Sequence, residues 1–332
     1  MRVDMRLNLQ SPNWAKPLTE LYPVALDMAR WADEKGLDAI RIGEHHGTAD
    51  NWCPSITVLG SAVAAVTSRI TINLSAVLLP LHDPIMVAED LAVLDLISGG
   101  RLDVVLAAGY NQAEFEMFGV DRSRRGRLME EGVAVLRQAW TGEEFEYKGR
   151  RVRVTPRPGT PGGPTLILGG SSGAAAKRAV RLGMEYFPLN AEAYEVFQLE
   201  RLAAGLPPAK EYSRGGPHLI HVTEDVDAAW EELARHFLLE AGNYASWSRT
   251  DTPTSGPAGV EPPTVADLRA GGRYVVMTPD EAIELVRGYD ANTIITLHPL
   301  VAGLDPEVGW ASLNLFAERV LPVIREMDAD HA

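Results

Sequence analysis

The chain has little cysteine and little positive charge, and each shortage excludes a class of protein. Its 332 residues include a single cysteine, Cys53, so neither an intramolecular disulfide nor a cysteine-rich metal site can form. Lysine and arginine number 31 against 45 aspartate and glutamate residues, which gives a net charge of −14. This balance disfavours non-specific binding to nucleic acid or to an anionic membrane surface. We therefore expect no nucleic acid and no membrane among the partners.

Long apolar runs are missing as well. The first residues, Met-Arg-Val-Asp-Met-Arg, lack the apolar stretch of a signal peptide, and no uninterrupted apolar segment is long enough to span a bilayer. A single cysteine fits a reducing compartment. The sequence therefore predicts a soluble, cytoplasmic protein.

The sequence does contain a regular alternation of short apolar β-type runs with longer segments of helical period. This pattern predicts one α/β domain over residues 1–332, a (β/α)8 TIM barrel with loop insertions. The longest insertion is an irregular segment near 242–278, for which a lid and a flexible connector are equally open. The predicted strands are Val3–Leu9, Ala39–Ile42, Ile70–Leu78, Leu102–Ala107, Thr165–Leu168, Glu185–Phe187, His218–Val222 and Thr293–Leu297. The predicted helices are Pro23–Lys35, Pro54–Thr67, Pro84–Ile97, Arg124–Trp140, Ala174–Leu182, Ala191–Ala203 and Val226–Leu239, with a hairpin of Phe145–Tyr147 against Val152–Val154.

A glycine- and serine-rich stretch follows the strand predicted at 165–168. Its letters Gly169-x-Ser171-x-Gly173 are those of a hydrolase nucleophile elbow, which also needs a strand, a sharp turn and a helix. The same geometry suits a phosphate, because the serine hydroxyls and the first amides of the next helix can bind an anion. A tight turn without a ligand is the third interpretation.

Two histidines follow the second predicted strand in the run Glu44-His45-His46. Adjacent side chains of an extended chain point to opposite sides, so the pair is not expected to share a metal. No HExxH or H-x-H spacing occurs, and we predict no metal site. One histidine can face the barrel mouth, where its near-neutral pKa suits proton transfer, and the alternative is that both are structural.

Four arginines lie within the six positions 122–127, against the acidic balance of the chain. A phosphate at the barrel mouth would account for at least one of them through charge-assisted hydrogen bonds. The alternative is a solvated helix face on which the arginines pair with Glu130 and Glu131.

In combination these stretches resemble the bacterial luciferase-like flavin monooxygenase family over about three quarters of the chain. Residues 88–102, Ala-Glu-Asp-Leu to Ser-Gly-Gly-Arg-Leu, are the most specific part of the resemblance. The matching runs are Glu44–His46, Asn73–Pro80, His82–Leu102, Gly109–Tyr110, Phe118–Asp121, Leu168–Ser172 and Val276–Asp280.

The resemblance implies a (β/α)8 barrel that binds reduced FMN at its mouth and forms a flavin C4a-(hydro)peroxide with O2. By position, the catalytic group would be Glu44, His45 and His46, with His45 acting on the oxygen adduct. The Ser75-Ala76 bond falls where the family commonly has a non-prolyl cis peptide against the flavin ring. The implied cofactor-binding residues are Ser75, Ala76, Gly109, Tyr110, Arg124, Arg125, Gly169, Gly170, Ser171 and Ser172.

The family further implies a separate flavin reductase, a small organic substrate, O2 and a homodimer formed through helices near the second and third strands. No G-x-G-x-x-G motif follows an early strand, which agrees with reduced flavin arriving from another protein. Ala107-Ala108 stands where luciferase itself has cysteine and arginine, so light emission is not implied. Three alternatives remain: an F420-dependent oxidoreductase of the same superfamily, a non-catalytic flavin-binding protein, and a Ser171 hydrolase.

Overall fold

The computed structural model describes residues 1–209, 216–248 and 263–329. The α/β class predicted from the alternation is confirmed, because nine of the described strands form a sheet accompanied by helices. The strands are β1 (Arg2–Arg6), β2 (Ala39–Ile42), β3 (Thr71–Val77), β4 (Leu102–Leu106), β5 (Phe145–Tyr147), β6 (Arg150–Val152), β7 (Thr165–Gly170), β8 (Glu185–Pro188), β9 (Leu219–Val222), β10 (Tyr274–Met277) and β11 (Ile294–Leu297).

The helices begin at prolines or polar caps, as the sequence pattern predicts. Asp83 caps α3 and Asn190 caps α7 with side-chain oxygens that accept backbone N–H groups. The helices are α1 (Leu18–Lys35), α2 (Ile56–Val66), α3 (Pro84–Ser98), α4 (Gln112–Met117), α5 (Arg125–Ala139), α6 (Gly173–Arg181), α7 (Ala191–Ala203), α8 (Val226–Ser248), α9 (Val265–Ala270), α10 (Pro279–Arg287), α11 (Pro306–Leu315) and α12 (Leu321–Ala329).

The contacts of the chain cluster in two compact units. Unit 1 comprises Met1–Arg41, Gly47–Cys53 and Ser213–Ala332. Its strands are parallel in the order β10-β9-β11-β1-β2, with Met5 of β1 opposite both Leu297 and Ile40. α8 packs on this core through Trp230, Leu233 and Phe237, and all three side chains are buried.

Unit 2 comprises Ile42–His46 and Pro54–Tyr212. Its parallel strands follow the order β3-β4-β7-β8, and β5 and β6 form a separate antiparallel hairpin. Arg101, directly before β4, braces this unit. Its guanidinium donates to the carbonyl oxygens of Ala64, Thr67, Ile70 and Ser98, which lie at or beyond the ends of α2 and α3. The arginine of the Ser-Gly-Gly-Arg motif therefore satisfies helix-end carbonyls that would otherwise lack donors.

The hairpin register differs from the prediction. Phe145 pairs with Val152 and Tyr147 with Arg150, so the second strand is Arg150–Val152 and not 152–154. The reason is the two-residue turn Lys148-Gly149, where both residues have positive φ, at 49° and 70°. Such a turn joins antiparallel strands with no third loop residue, and it moves the pairing by two positions.

The segment predicted as irregular near 242–278 is partly regular. α8 continues nine residues past Leu239 to Ser248, and α9 and β10 follow before Thr278. Residues 249–262 lie outside the described residues, so the lid stays a prediction there. The single domain over 1–332 also stays a prediction. Among the described helices, none is both long and apolar enough to cross a membrane.

Candidate active site

The predicted catalytic residues lie on the short loop that leaves β2. Glu44, His45 and His46 follow Gly43, and all three side chains are buried in unit 2. The two imidazoles contact different carboxylates, in agreement with the prediction that neighbouring side chains diverge. Each histidine thus belongs to its own hydrogen-bonded pair.

His45 is held by Glu114 of α4. The His45 Nδ1 atom lies 2.8 Å from Glu114 Oε1, and the same oxygen accepts the backbone N–H of His46 at 3.0 Å. The Glu114 side chain is 1% exposed, and its other oxygen, Oε2, has no hydrogen-bond partner among the described residues. The carboxylate therefore makes Nδ1 the protonated nitrogen of neutral His45 and fixes the ring orientation.

Neither α4 nor Glu114 is among the predicted elements and site residues. A sequence signal exists, because Asn111 precedes Glu114 by three positions, which is a common helix-start spacing. In the structure the Asn111 side chain accepts the Ala113 N–H and begins the helix. That short helix turns the Glu114 carboxylate toward the two histidines.

His46 and His82 converge on the other carboxylate. The Nε2 atoms of both rings lie 2.6 Å from Glu44 Oε1, while Glu44 Oε2 accepts the backbone N–H of Leu78. Burial alone would raise the pKa of Glu44, but the hydrogen bonds from the two imidazoles hold this pKa below its ordinary value. Burial opposes the charged form of His82, yet the bond to Glu44 raises the pKa of His82 above its ordinary value. The Phe118 ring packs edge-to-face against His46 with 4.8 Å between the ring centres, and it closes this cluster.

Glu44, His46 and His82 could also hold a metal ion. One ligand atom from each lies within 4.8 Å of the others, and two imidazoles with one carboxylate suit zinc or non-haem iron. His82 is 36 positions from His46, a spacing that no common metal motif uses. The three groups already form hydrogen bonds with one another, so the cluster does not require a metal. The predicted absence of a metal stays a prediction.

The residues that the resemblance implies beside the flavin ring lie near the ends of β3 and β4. The peptide bond between Ser75 and Ala76 is cis, at the position that the resemblance implies. Gly109 has φ = 74°, and a Cβ atom there would stand 3.1 Å from the Phe115 ring. Both the positive φ and the close contact require glycine at this position. The ring of Tyr110 lies edge-on to His45 with 6.1 Å between centres.

The arginine run divides into different roles. Arg122 donates to the carbonyl oxygen of Tyr110 at 3.1 Å and Arg125 to that of Arg122 at 3.3 Å, at the start of α5. Arg127 pairs on the exposed helix face with Glu131, as the surface interpretation predicts. Glu130 differs from that interpretation, because its partners are Arg178 and Arg181 of α6. These ion pairs join α6 to α5.

Gly126 explains the close approach of those two helices. A Cβ atom at this position would collide with the guanidinium of Arg178. The glycine leaves room for Arg178 beside Glu130, so the start of α5 and the first turns of α6 are held together.

The four predicted phosphate-loop residues connect β7 to α6. Gly169 and Gly170 end the strand, and Cβ atoms there would lie 2.8 Å from Val105 Cγ1 and 2.7 Å from Ala175 Cβ. Ser172 caps α6 by accepting the Ala175 N–H, and Ser171 exposes its hydroxyl. The loop therefore presents hydroxyl groups and helix-start amides, the donors that bind a phosphate.

A cavity of about 390 Å³ in unit 2 is lined by residues around the start of α3 and the start of α5, and not by the Gly169–Ser172 loop. Arg124, Lys148 and His82 are among its polar lining residues, and Leu79, Leu81 and Val120 are among its apolar ones. The cavity gives access from solvent to one edge of the Glu44 cluster.

The buried histidine with its own carboxylate and the helix-capping Gly-Gly-Ser-Ser loop, carried on an α/β fold, agree with the flavin-dependent oxidoreductase class that the resemblance implies. The model of the luciferase-like monooxygenase family matches residues 5–292, and the chain belongs to this family. The (β/α)8 barrel predicted from the sequence is the fold of that family and is confirmed.

Individual relatives support the same class. The chain is 32% identical over 320 residues to an FMNH2-dependent dimethylsulfone monooxygenase of Pseudomonas putida, covering 90% of this chain and 85% of the relative. It is 25% identical over 323 residues to a 4-hydroxyprotoasukamycin monooxygenase of Streptomyces nodosus subsp. asukaensis, with the same coverage. The crystal structure of monooxygenase RslO1 from Streptomyces bottropensis superposes with a TM-score of 0.76 at 25% identity, covering 97% of this chain and 99% of that one. The protein is a flavin-dependent monooxygenase of the luciferase-like type.

Proposed function

We propose that the protein is an FMN-dependent monooxygenase that receives reduced FMN from a separate reductase and inserts one oxygen atom of O2 into a small organic substrate. The observation that carries this proposal is the buried His45–Glu114 pair, with Nδ1 to Oε1 at 2.8 Å. Bound reduced FMN would supply the chemistry that activates O2. The relative from Pseudomonas putida is by its name FMNH2-dependent, which supports reduced FMN as the cofactor.

The loop at the start of α6 fits the phosphate of FMN. Gly169 and Gly170 are obligatory there because Cβ atoms would meet Val105 and Ala175. The hydroxyl groups of Ser171 and Ser172 and the first amides of α6 are the donors, and Arg124 or Arg125 adds a positive charge. Ser172 caps the helix, which fixes the first amides of α6 beside the loop.

The ring side of the cofactor would be bounded by Ser75, Ala76, Gly109 and Tyr110. His45 then has one task that the structure explains. Because Nδ1 donates to Glu114, Nε2 is the nitrogen that would exchange a proton during the reaction. Glu44 and His46 would position His45, since their hydrogen bonds fix the loop that carries it.

Stopped-flow absorbance tests the reaction. The protein is mixed with anaerobically reduced FMN and then with oxygenated buffer, and we expect a transient near-ultraviolet absorbance before oxidised flavin returns. His45→Ala should shorten this transient, whereas Glu116→Gln, an exposed change on α4, should not. Flavin oxidation as fast as in free solution, or tight binding of F420 in place of FMN, would contradict the proposal.

Equilibrium binding tests the phosphate loop. Arg124→Ala and Arg125→Ala are compared with Arg127→Ala, a matched control whose arginine pairs with Glu131 on the exposed helix face. We expect the FMN dissociation constant to rise at least tenfold for one of the first two variants and less than twofold for the control. Equal effects of all three would refute a specific arginine contact. Loss of an esterase activity in Ser171→Ala, with FMN binding unchanged, would favour a hydrolase.

A homodimer belongs to the same proposal. α2 and α3 carry large apolar side chains on their outer surface: Val58 is 69% exposed and Met86 57%, and Val93, Leu96 and Ile97 are also exposed. Exposed large apolar side chains gathered on two neighbouring helices suit a protein interface. Light scattering should give twice the mass of 36.1 kDa, and Leu96→Glu should halve it. A monomeric wild-type protein would refute this part.

A further inference from the structure

Unit 1 contains a second group of buried polar side chains, none of which is among the predicted site residues. Asn8 and Gln10 follow β1, and Asp50 lies on the segment 47–53. All three side chains are buried. Gln10 Nε2 and Asn243 Nδ2 donate to one oxygen of Asp50, Oδ2, at 2.7 and 2.8 Å.

The other polar atoms of this group have no hydrogen-bond partner within the described part of the chain. They are Asp50 Oδ1, Gln10 Oε1 and both terminal atoms of the Asn8 side chain. Buried polar atoms are nearly always hydrogen-bonded, so these four atoms are available to hydrogen-bond a ligand. Three of the four are oxygen atoms that can only accept, so a matching ligand is chiefly a donor.

The surroundings of Asp50 differ from those of Glu240, another buried carboxyl group of unit 1. Within residues 1–209, 216–248 and 263–329, no lysine, arginine or histidine forms an ion pair with Asp50, whose two contacts are neutral amides. Glu240, one turn before Asn243 on α8, does have basic partners. Its carboxylate oxygens lie 3.0 Å from His218 Nε2 and 3.9 Å from Arg6 Nη1. Buried carboxylates are normally paired with a cation, and Asp50 therefore fits a cationic ligand.

Aromatic rings flank the same group. Asn243, which binds Asp50, is followed on α8 by Tyr244 and Trp247, and Trp52 lies two residues after Asp50. The three ring centres are 5.7 to 5.8 Å apart. Aromatic faces attract organic cations and pack against flat apolar groups.

We propose that Asp50, Gln10 and Asn8 bind the ammonium group of a small organic amine whose apolar body packs against Trp52, Tyr244 and Trp247. A primary ammonium carries three donors, which match the three unpartnered oxygen atoms. The assignment of the amine as the substrate of the enzyme rests on the proposed function. The assignment of the binding site rests on the residues of unit 1 alone.

Binding of benzylammonium to the full chain without flavin tests the site. This binding is measured by tryptophan fluorescence and by calorimetry. Benzyl alcohol is the neutral control, and benzyltrimethylammonium keeps the charge without N–H donors. We expect benzylammonium to bind at least tenfold more tightly than either. Asp50→Asn should remove this preference, whereas Asp27→Asn, an exposed change on α1, should keep it.

Two results would overturn the proposal: equal affinity for the three probes, or no binding of any probe at 10 mM, roughly the weakest affinity that is useful in recognition. Ordered water would then be the partner of the four buried polar atoms. The comparison of probes uses the wild-type protein, so it stands even if Asp50→Asn does not fold. FMN binding is measured separately. Amine binding without FMN binding would refute the proposed function and not this site, and the reverse result would refute this site alone.

Discussion

Replacement of Glu114 by glutamine tests the central pair of the candidate active site. Glutamine has nearly the same shape and keeps an oxygen that can accept from His45 Nδ1 and from the His46 N–H. It lacks the negative charge, and its NH2 group would occupy the place of Oε2, which is buried and has no partner in the described part of the chain. The substitution therefore weakens one charge-assisted bond and buries an amide donor in its place.

The size of the effect follows from hydrogen bonds of this type. A hydrogen bond to a charged group contributes about 1.5–3 kcal/mol and a neutral one about 1 kcal/mol, so the loss at His45 is about 1–2 kcal/mol. If that loss is felt fully in the step that His45 assists, the rate of this step falls roughly 5- to 30-fold. FMN affinity should change less than about twofold, since no predicted phosphate ligand is altered.

The assay is stopped-flow oxidation of reduced FMN, with the lifetime of the near-ultraviolet transient as the readout. Glu116→Gln is the matched control, because Glu116 lies on the same helix and contacts only the exposed Gln112 among its described hydrogen bonds. A lifetime in Glu114→Gln within twofold of the wild-type value would refute the reasoning. An equal loss in the control would assign the effect to α4 and not to the carboxylate.

Three further outcomes follow from the structure. Gly170→Ala places a Cβ atom 2.7 Å from the rigid Ala175 Cβ, so we expect a loss of about 1–3 kcal/mol in a thermal melt and weaker FMN binding; an unchanged melting temperature would contradict the close contact. Arg101→Ala leaves helix-end carbonyls without donors and should lower the free energy of unfolding by about 3 kcal/mol in urea, with a smaller loss in Arg101→Lys. Burial lowers the pKa values of His221 and His236 to about 4. Because the unfolded imidazoles titrate near 6.5, the unfolded state binds more protons between pH 6.5 and 4, and stability should fall as pH drops through that window, by at most about 3 kcal/mol per histidine; His236→Gln should flatten this dependence, and an equally steep profile in that variant would refute the assignment.

The strands and helices with strong periodicity could be predicted from the sequence because their burial pattern is local. β2 and α7 have the predicted bounds, whereas β7 runs two residues past the predicted Leu168, to Gly170, so that only Ser171 and Ser172 separate it from α6. α8 could not be bounded in this way. Gly242 and Asn243 are ordinary helix-stop residues, but Asn243 is held by Asp50, a contact between positions 193 apart.

The candidate site shows the same division. Glu44, His45 and His46 are adjacent in the sequence and could be found as a motif, whereas their partners come from other elements. His82 and Glu114 lie 38 and 69 positions from the groups that they contact. Carboxylates and single histidines are common throughout the chain, so only the folded backbone selects these two. The Tyr274–Met277 strand was missed because the surrounding segment is rich in glycine and proline, and its four residues were too few to establish a period.

One face of α8 has a consequence for how this enzyme could diversify. Glu240, Asn243, Tyr244 and Trp247 recur at helical spacing, so a carboxylate, an amide, a phenol and an indole share a single stripe of unit 1. None of the predicted flavin residues lies on that helix. A combinatorial library confined to these four codons would sample ligand preference independently of the flavin loop, and gene duplicates could diverge in the same way.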